Sequence, residues 1–259
     1  MKVSVIIPYF YRKEYLFKVL IALKNQSFQT ADYEVIIVDD GSDLDSSDMI
    51  DECFKFIKIS HGGPARARNC GLKLACGKIV VFIDSDILVD DMFVQRHYAI
   101  HQENKNYIAL GNRSHMNEHG KISNIDTRLK LLKRYGKKVN DLKHPWFMAY
   151  TCNVSLSRNL ALLNPFDVNY IQWGLEDSEW AYRCFVNGIN FEFIEGVNSI
   201  HLYHDREMNY DRFIGWKRNL DYTLKKHKDM CDLKFFEDVF NPLKRADYFE
   251  AYDRFEGYL

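Results

Sequence analysis

The amino-acid sequence predicts an α/β fold with a doubly wound, mostly parallel sheet. Residues 35–38 and 79–83 are uninterrupted runs of β-branched and aromatic residues, which is typical of strands buried on both faces. Between such runs lie segments whose apolar residues recur at the spacing of one helix face. Because strands and helices alternate through short connections over the first ninety residues or so, the pattern predicts this fold class.

The first helix and the strands around it are predicted from residue spacing. A strand at 3–7 is stopped by Pro8. The helix after it has one apolar face, formed by Leu16, Val19, Leu20 and Leu23. Residues 54–59 alternate apolar side chains with lysines, so we expect a more exposed strand there.

A second helix is predicted to begin at Pro64 and to run to about Cys76, because proline is favoured at the first helical position. Loops at 8–12, 39–42 and 84–86 leave the carboxyl ends of strands. In a doubly wound sheet such loops meet along one edge, where ligands bind.

The remaining elements are predicted with less detail. A basic, weakly periodic segment at 121–144 is interpreted as a surface excursion. The tail at 206–259 is rich in helix formers and aromatic residues, and we expect it to pack on the rest of the chain. The other predicted elements are a helix at 92–103, strands at 107–110, 191–194 and 197–200, an apolar, β-prone stretch at 146–156, and a helix that enters near Glu176 and stops at Gly188.

Composition excludes several classes of protein. The 259 residues include 35 Lys and Arg against 36 Asp and Glu, so the chain lacks the basic excess of nucleic-acid-binding proteins. No apolar run approaches the ~20 residues of a membrane span, although peripheral association is left open. The six cysteines are scattered without a Cys-x-x-Cys pair, which favours reduced thiols, a cytoplasmic location and no structural zinc.

Two carboxylates follow the most apolar strand. Asp84 and Asp86 flank Ser85 directly after Ile83, at the expected ligand-binding edge. Oxygen ligands at this spacing suit Mg²⁺ or Mn²⁺ carrying a phosphorylated substrate. A solvated turn that caps the next helix is the alternative reading of the same residues.

Asp40 and two arginines extend this edge. Asp40 is suited to hydrogen-bond a base or a ribose hydroxyl, or else forms an Asx turn closed by Gly41. Arg66 and Arg68 lie in the first turns of the second helix, where free N–H groups favour a diphosphate. Residues two apart do not share a helix face, so we expect only Arg68 to point at the ligand.

A second group of polar residues lies later in the chain. Trp173 and Gly174 precede Glu176 and Asp177, which combines an aromatic platform with acids at a helix start. Helix-dipole compensation alone would also place acids there. His201 and His204 follow a strand, and after two acidic motifs this spacing favours metal binding over a purely structural role.

In this order the motifs resemble the GT-A glycosyltransferases of family 2, which are inverting enzymes that use nucleotide sugars. The resemblance covers about residues 1–204. It rests on Val-Ser-Val-Ile-Ile-Pro-Tyr-Phe from Val3, Val-Asp-Asp-Gly-Ser from Val38, Ala-Arg-Asn-Cys-Gly from Ala67, Asp-Ser-Asp from Asp84, Glu-Asp at 176–177, and His201. The Trp-Gly-x-Glu-Asp form is similar to transferases for galactose, N-acetylgalactosamine and related sugars, including chondroitin-polymerising ones.

The resemblance implies a role for each matching residue. Asp177 would be the catalytic base, and Trp173, Gly174 and Glu176 would bind the acceptor. Asp86 and His201 would hold Mn²⁺ or Mg²⁺, with His204 as a substitute or an additional ligand. The nucleotide sugar would be bound by Pro8, Tyr9, Phe10, Arg12, Asp40, Arg68, Asp84, Ser85 and Asn153.

The implied activity is transfer of a hexose (Gal, GalNAc, GlcNAc or Glc) from a UDP-sugar to an acceptor hydroxyl, probably the wrong term for any single linkage but consistent with a glycan acceptor. The implied organisation is a GT-A catalytic domain at 1–205, with a nucleotide-binding half at 1–110 and an acceptor-binding half at 111–205, and a helical extension at 206–259. Two alternatives stay open: a sugar nucleotidyltransferase that releases pyrophosphate, and a non-catalytic module that binds nucleotide sugars.

Overall fold

The computed structural model describes residues 1–42, 54–103, 106–124, 126–204 and 210–230. Asp205, beside the predicted histidine pair, and the part of the tail at 231–259 lie outside these residues. The strands are β1 (Val3–Tyr9), β2 (Tyr33–Asp39), β3 (Phe54–Lys58), β4 (Ile79–Ile83), β5 (Ile87–Val89), β6 (Tyr107–Met116), β7 (Ile122–Asn124), β8 (Asn153–Ser157) and β9 (Asn190–His201). The helices are α1 (Lys13–Lys24), α2 (Pro64–Leu74), α3 (Phe93–Ile100), α4 (Thr127–Tyr135), α5 (Arg158–Leu163), α6 (Glu176–Val186) and α7 (Tyr210–Lys226).

The strands of the described residues form one mixed sheet in the order β3-β2-β1-β4-β8-β6-β9-β5, with β7 paired to β6. The first four strands in this order are parallel, as the sequence predicts. Strand β8 then runs antiparallel to both β4 and β6, whereas β6 and β9 are parallel to each other. The predicted α/β fold with a largely parallel nucleotide-binding half is confirmed.

Two hydrophobic cores cover the two faces of the sheet. Along β1, Val5 and Ile7 face the core that includes the apolar side of α1, whereas Ile6 faces the core that includes α2 and α6. Successive side chains of a strand point to opposite faces, so both faces of β1 need apolar residues. This double burial explains why the central strands are almost continuous apolar runs.

The structure corrects three predicted elements. Residues 145–148 form a short 3₁₀ helix, and β8 begins only at Asn153. The two strands predicted at 191–194 and 197–200 are one strand, β9, in which Gly196 has a φ of +76°. A positive φ interrupts the alternation from which strand ends are predicted, so one bent strand resembles two short ones.

The segment interpreted as a surface excursion contains helix α4. Asp126 caps its start by accepting a hydrogen bond from the backbone N–H of Arg128, and Gly136 ends it with a φ of +60°. Leu131 and Leu132 bury the inner face. The helix has only one narrow apolar stripe among many basic residues, so the periodicity is weak although both ends are capped.

Helix α7 packs against the main domain, as predicted for the first part of the tail. Trp216 and Leu220 are buried in the core that also contains α2 and α6. The side-chain amide of Asn219 donates hydrogen bonds to the carbonyls of Gln172 (3.0 Å) and Gly174 (2.9 Å). The division of the chain at residues 205 and 206 stays a prediction.

Candidate active site

An open cleft of about 860 Å³ lies at the carboxyl ends of β1, β2 and β4. This is the edge at which α/β sheets bind ligands. The cleft brings together nearly all the residues that the sequence singles out. They are Pro8, Tyr9, Phe10, Arg12, Asp40, Arg68, Asp84, Ser85, Asp86, Trp173, Gly174, Glu176, Asp177, His201 and His204.

Asp86, His201 and His204 form a cluster in this cleft. Oδ2 of Asp86 lies 3.0 Å from Nε2 of His204 and 3.5 Å from Nε2 of His201. Antiparallel pairing places Ile87 of β5 opposite His201 of β9, and the backbone N–H of Leu202 donates to the carbonyl of Asp86 at 2.9 Å. Backbone pairing therefore joins parts of the chain that are more than a hundred residues apart.

The donor atoms of this cluster fit a divalent cation. One ligand atom from each of the three residues lies within 4.8 Å of the others. Nδ1 of His204 is buried and has no hydrogen-bond partner among the described residues. Carboxylate oxygens suit Mg²⁺ and Mn²⁺, whereas imidazole nitrogens favour softer ions, so a mixed set of one carboxylate and two imidazoles favours Mn²⁺ over Mg²⁺.

Arg68 connects two of the acidic motifs. Its guanidinium donates to Asp84 (Nη2 to Oδ1, 2.9 Å) and to Glu176 (Nη1 to Oε1, 3.1 Å), and the side chain is buried. Arg66, two residues earlier on α2, is exposed and does not line the cleft. The expected choice between the two arginines is confirmed, but the partners of Arg68 here are carboxylates.

Asp177 lies in the first turn of α6, after an unusual stretch of backbone. Gly174 has a φ of +103° and Leu175 a φ of +70°, and the backbone N–H of Gly174 donates to Oε2 of Glu176 at 3.2 Å. Burial, and next the negative charge of Glu176, raise the pKa of Asp177 to about 7, although Arg68 opposes this shift. A carboxylate with such a pKa is suited to accept a proton near neutral pH.

Asp40 organises the loop before α2. Its carboxylate accepts hydrogen bonds from the backbone N–H groups of Gly62 (2.9 Å) and Gly63 (2.8 Å), and Nδ1 of His61 lies 2.9 Å from Oδ2. The ring of Phe10 stacks on His61 with a centroid distance of 4.5 Å. Asp40 therefore closes a wall of the cleft, and sequence reasoning missed the part that His61 plays in it.

Asn153 is the one predicted site residue that the structure places elsewhere. It is fully buried and does not line the cleft. Its Oδ1 lies 3.0 Å from Nε2 of His97, and its Nδ2 donates to the Asn112 carbonyl and the Ser199 hydroxyl, both at 3.1 Å. With its amide engaged inside the sheet, Asn153 does not reach a nucleotide sugar, and the predicted contact is corrected to an internal role.

Sequence reasoning also missed a basic and aromatic wall formed around Tyr150. The guanidinium carbons of Arg113 and Arg128 lie 4.9 and 4.7 Å from the centroid of the Tyr150 ring. Arg128 is fully buried in an ion pair with Asp126, whereas Arg113 lines the cleft. No short motif marks these residues, because the contact depends on how β6 pairs with its neighbours.

Three further cleft residues come from α7. Asp211, Arg212 and Trp216 line the same cleft as Asp177. The guanidinium carbon of Arg212 lies 4.4 Å from the centroid of the Trp173 ring. The aromatic character of the tail is the only signal in the sequence, and it does not distinguish a cleft wall from a core.

Comparison with protein families agrees with this arrangement. The model of glycosyl transferase family 2 matches residues 4–161, which is more than half of the chain. The chain belongs to glycosyl transferase family 2. The match contains β1, α2 and the Asp84-Ser85-Asp86 motif of this glycosyltransferase, whereas Asp177, the histidine pair and α7 lie beyond it.

Several curated proteins are similar to this glycosyltransferase. An uncharacterised glycosyltransferase of Bacillus subtilis, YfnE, is 27% identical over 90% of the chain and 72% of its own length. Validoxylamine A glucosyltransferase of Streptomyces hygroscopicus is 25% identical over 90% of the chain and 63% of its own length. The poly(ribitol-phosphate) β-N-acetylglucosaminyltransferase TarP of Staphylococcus aureus is 33% identical, but over only 42% of the chain and 36% of its own length.

Solved structures show the same fold. Residues 1–349 of S. aureus TarS, bound to UDP-GlcNAc, superpose with a TM-score of 0.68 at 19% identity, covering 95% of this chain and 77% of that one. GalNAc-T7 with UDP, GalNAc and Mn²⁺ gives a TM-score of 0.64 at 14% identity, covering 100% and 57%. The glycosyltransferase therefore has the GT-A fold. Within the described residues, no helix is both long and apolar enough to cross a membrane.

Proposed function

We propose that this glycosyltransferase moves a hexose from a UDP-sugar to an acceptor hydroxyl, with inversion at the anomeric carbon and with a divalent cation. The observation that carries the proposal is the convergence of the cluster formed by Asp86, His201 and His204 with Asp177 in one cleft. A cation site supports a diphosphate, and a carboxylate with a raised pKa supports deprotonation of an acceptor. Both groups are required for displacement of UDP by a hydroxyl.

Asp86, His201 and His204 are the residues that would hold the cation. When bound, Mn²⁺ or Mg²⁺ would act as a Lewis acid that neutralises negative charge on the departing diphosphate. Arg12, whose Nη1 lies 4.0 Å from Oδ2 of Asp86, adds positive charge to the same end of the cleft. Asp84 would contact the ribose or a water of the cation, held in place by Arg68.

Asp177 would remove the proton from the acceptor hydroxyl as its oxygen forms a bond to the anomeric carbon. The bond from that carbon to the diphosphate oxygen breaks on the opposite face, so UDP leaves and the anomeric configuration inverts. Glycosyl transfer of this kind passes through an oxocarbenium-like transition state, as glycoside hydrolysis does. The raised pKa of Asp177 makes the carboxylate basic enough to accept this proton near pH 7.

The comparisons support UDP and a hexose as the donor components. TarS structures are named as complexes with UDP-GlcNAc and with UDP, and GalNAc-T7 as a complex with UDP, GalNAc and Mn²⁺. Related curated proteins are named as glucosyl- or N-acetylglucosaminyltransferases. We therefore place Glc and GlcNAc ahead of Gal and GalNAc as donor sugars, with a hydroxyl-rich acceptor such as a glycan.

A donor screen tests this proposal. The purified protein is incubated with Mn²⁺ and, separately, with UDP-Glc, UDP-GlcNAc, UDP-Gal and UDP-GalNAc, and the products are separated by ion-exchange chromatography. We expect slow release of UDP from one or two of these donors, with water as the acceptor. A parallel assay with UTP and a sugar 1-phosphate detects pyrophosphate. Pyrophosphate without UDP would indicate a nucleotidyltransferase, and UDP-sugar binding without any turnover would indicate a non-catalytic module.

A further inference from the structure

Helix α7 faces Asp177 across the cleft, although it lies outside the match to the family. Its Trp216 packs on the backbone of Gly174, since a Cβ atom on Gly174 would lie 3.0 Å from Cδ1 of Trp216. Asn219, one turn later, holds the Gln172 and Gly174 carbonyls. The loop that leads into α6 is therefore held from behind by α7.

The indole N–H of Trp216 has no use within the protein. The side chain is 3% exposed and lines the cleft, and its Nε1 is buried without a hydrogen-bond acceptor in the described part of the chain. Buried tryptophan N–H groups usually have a hydrogen-bond partner, because leaving one unsatisfied costs about 1–3 kcal/mol. An oxygen atom of a bound molecule would satisfy it.

Trp173 supplies an aromatic surface beside this donor. It is 42% exposed, and the Arg212 guanidinium from α7 lies 4.4 Å from its ring centroid. Contact with a guanidinium limits the orientations of an indole ring. The two tryptophans lie at positions on either side of the loop that carries Asp177, and both line its cleft.

We propose that Trp173 and Trp216 form an acceptor subsite for a pyranoside ring, with α7 as its outer wall. The apolar face of the sugar would pack on Trp173, and one of its hydroxyl or ring oxygens would accept the hydrogen bond of Trp216 Nε1. A neighbouring hydroxyl would then be presented to Asp177. This inference rests on the proposed transferase function and adds the acceptor class, a saccharide rather than a peptide or a polyol phosphate.

Direct binding measurements test the subsite. Saturation-transfer NMR is recorded on the full chain with saturating UDP and Mg²⁺, using methyl glycosides of glucose, galactose, N-acetylglucosamine and N-acetylgalactosamine as probes. We expect at least one glycoside to bind with a millimolar Kd. Trp216→Phe, which removes the N–H, should raise that Kd about fivefold, the effect of one hydrogen bond. Trp173→Leu should raise it about tenfold through loss of ring packing.

The matched control is Tyr222→Phe, which removes one polar hydrogen from α7 at a position bonded to Asp167 and outside the cleft. It should leave the glycoside Kd unchanged. Binding of UDP is measured for all variants, and an unchanged value shows that each variant is folded. Because Trp173 is partly exposed, its variant tests the subsite even if replacement of Trp216 disturbs α7.

Three results would overturn the inference: no glycoside binds the wild-type protein, ribitol 5-phosphate or a serine peptide binds in its place, or neither tryptophan variant changes the Kd. UDP release from the four UDP-sugars, measured on the same samples, separates this from the proposed function. Glycoside binding that depends on both tryptophans without any UDP release would contradict the transferase and leave the saccharide subsite standing.

Discussion

Nη2 of Arg68 lies 2.9 Å from Oδ1 of Asp84, so a helix residue and the end of the central strand are joined by a buried guanidinium. The same guanidinium reaches Glu176, which directly precedes Asp177. One arginine thus ties the motif expected to hold the donor to the motif expected to activate the acceptor. Its fork of donors allows both contacts, which a lysine ammonium on a single position does not reproduce.

We expect replacement of Arg68 to separate charge from geometry. Arg68→Met leaves Glu176 buried without its cation and should cost about 3 kcal/mol of unfolding free energy, measured by urea denaturation. Arg68→Lys retains the charge and should lose less stability but most of the UDP release. Arg66→Met on the exposed side of α2 is the control and should change neither. Equal turnover in Arg68→Lys and the wild type would show that the fork is dispensable.

Asp177→Asn should remove the base while preserving its shape. Transfer, measured as UDP release from the donor identified by screening, should fall by about 10²–10⁴-fold, the usual contribution of a general base. The Kd of UDP should stay within about twofold of the wild-type value. Turnover close to that of the wild type would exclude Asp177 from the role.

The raised pKa of Asp177 predicts a pH profile. The carboxylate must be ionised to accept a proton, so kcat/KM should rise with pH and level off above about 7. The measurement uses saturating Mn²⁺ at every pH between 5.5 and 8.5, because protonation of the two imidazoles weakens metal binding. A rate that is flat across this range would contradict the assignment.

The same shift makes Asp177 a cost to stability at neutral pH. Its carboxyl binds a proton more tightly in the folded than in the unfolded chain, so its contribution is favourable below its ordinary pKa and is lost as pH rises to about 7. Asp177→Asn should therefore increase the unfolding free energy, by on the order of 1–2 kcal/mol at pH 8 and by less at pH 5. Urea denaturation at the two pH values measures the difference. A gain that does not grow with pH would argue against the shifted pKa.

The donor side of the cleft could be predicted because its signals are local. Asp40, Asp84 and Asp86 each follow an apolar run directly, and parallel strands bring their carboxyl ends together whatever the details of packing. The choice of Arg68 over Arg66 followed from helix periodicity alone. The pairing of His201 with Asp86 required the resemblance to a family, because nothing in the intervening sequence indicates that β9 pairs with β5.

The acceptor side could not be predicted in the same way, because its contacts depend on long-range pairing. Arg113 reaches the cleft on β6 just after a register shift between Leu110 and Asn112. Asn153 lies inside because Gly111 on the paired strand has no side chain, and a Cβ atom there would lie 2.2 Å from the Asn153 amide. A one-residue change of register moves a side chain to the other face of a sheet, and sequence spacing does not reveal it.

The central claim is that Asp86, His201 and His204 bind one divalent cation together with the diphosphate of the donor. Isothermal titration calorimetry of UDP binding, with Mn²⁺ and with EDTA, tests it most directly. We expect Mn²⁺ to tighten UDP binding at least tenfold in the wild type and in the control Asp90→Asn, a coupling of about 1.4 kcal/mol, and to have no effect in Asp86→Asn. An identical Kd of UDP with Mn²⁺ and with EDTA in the wild-type protein would contradict the account.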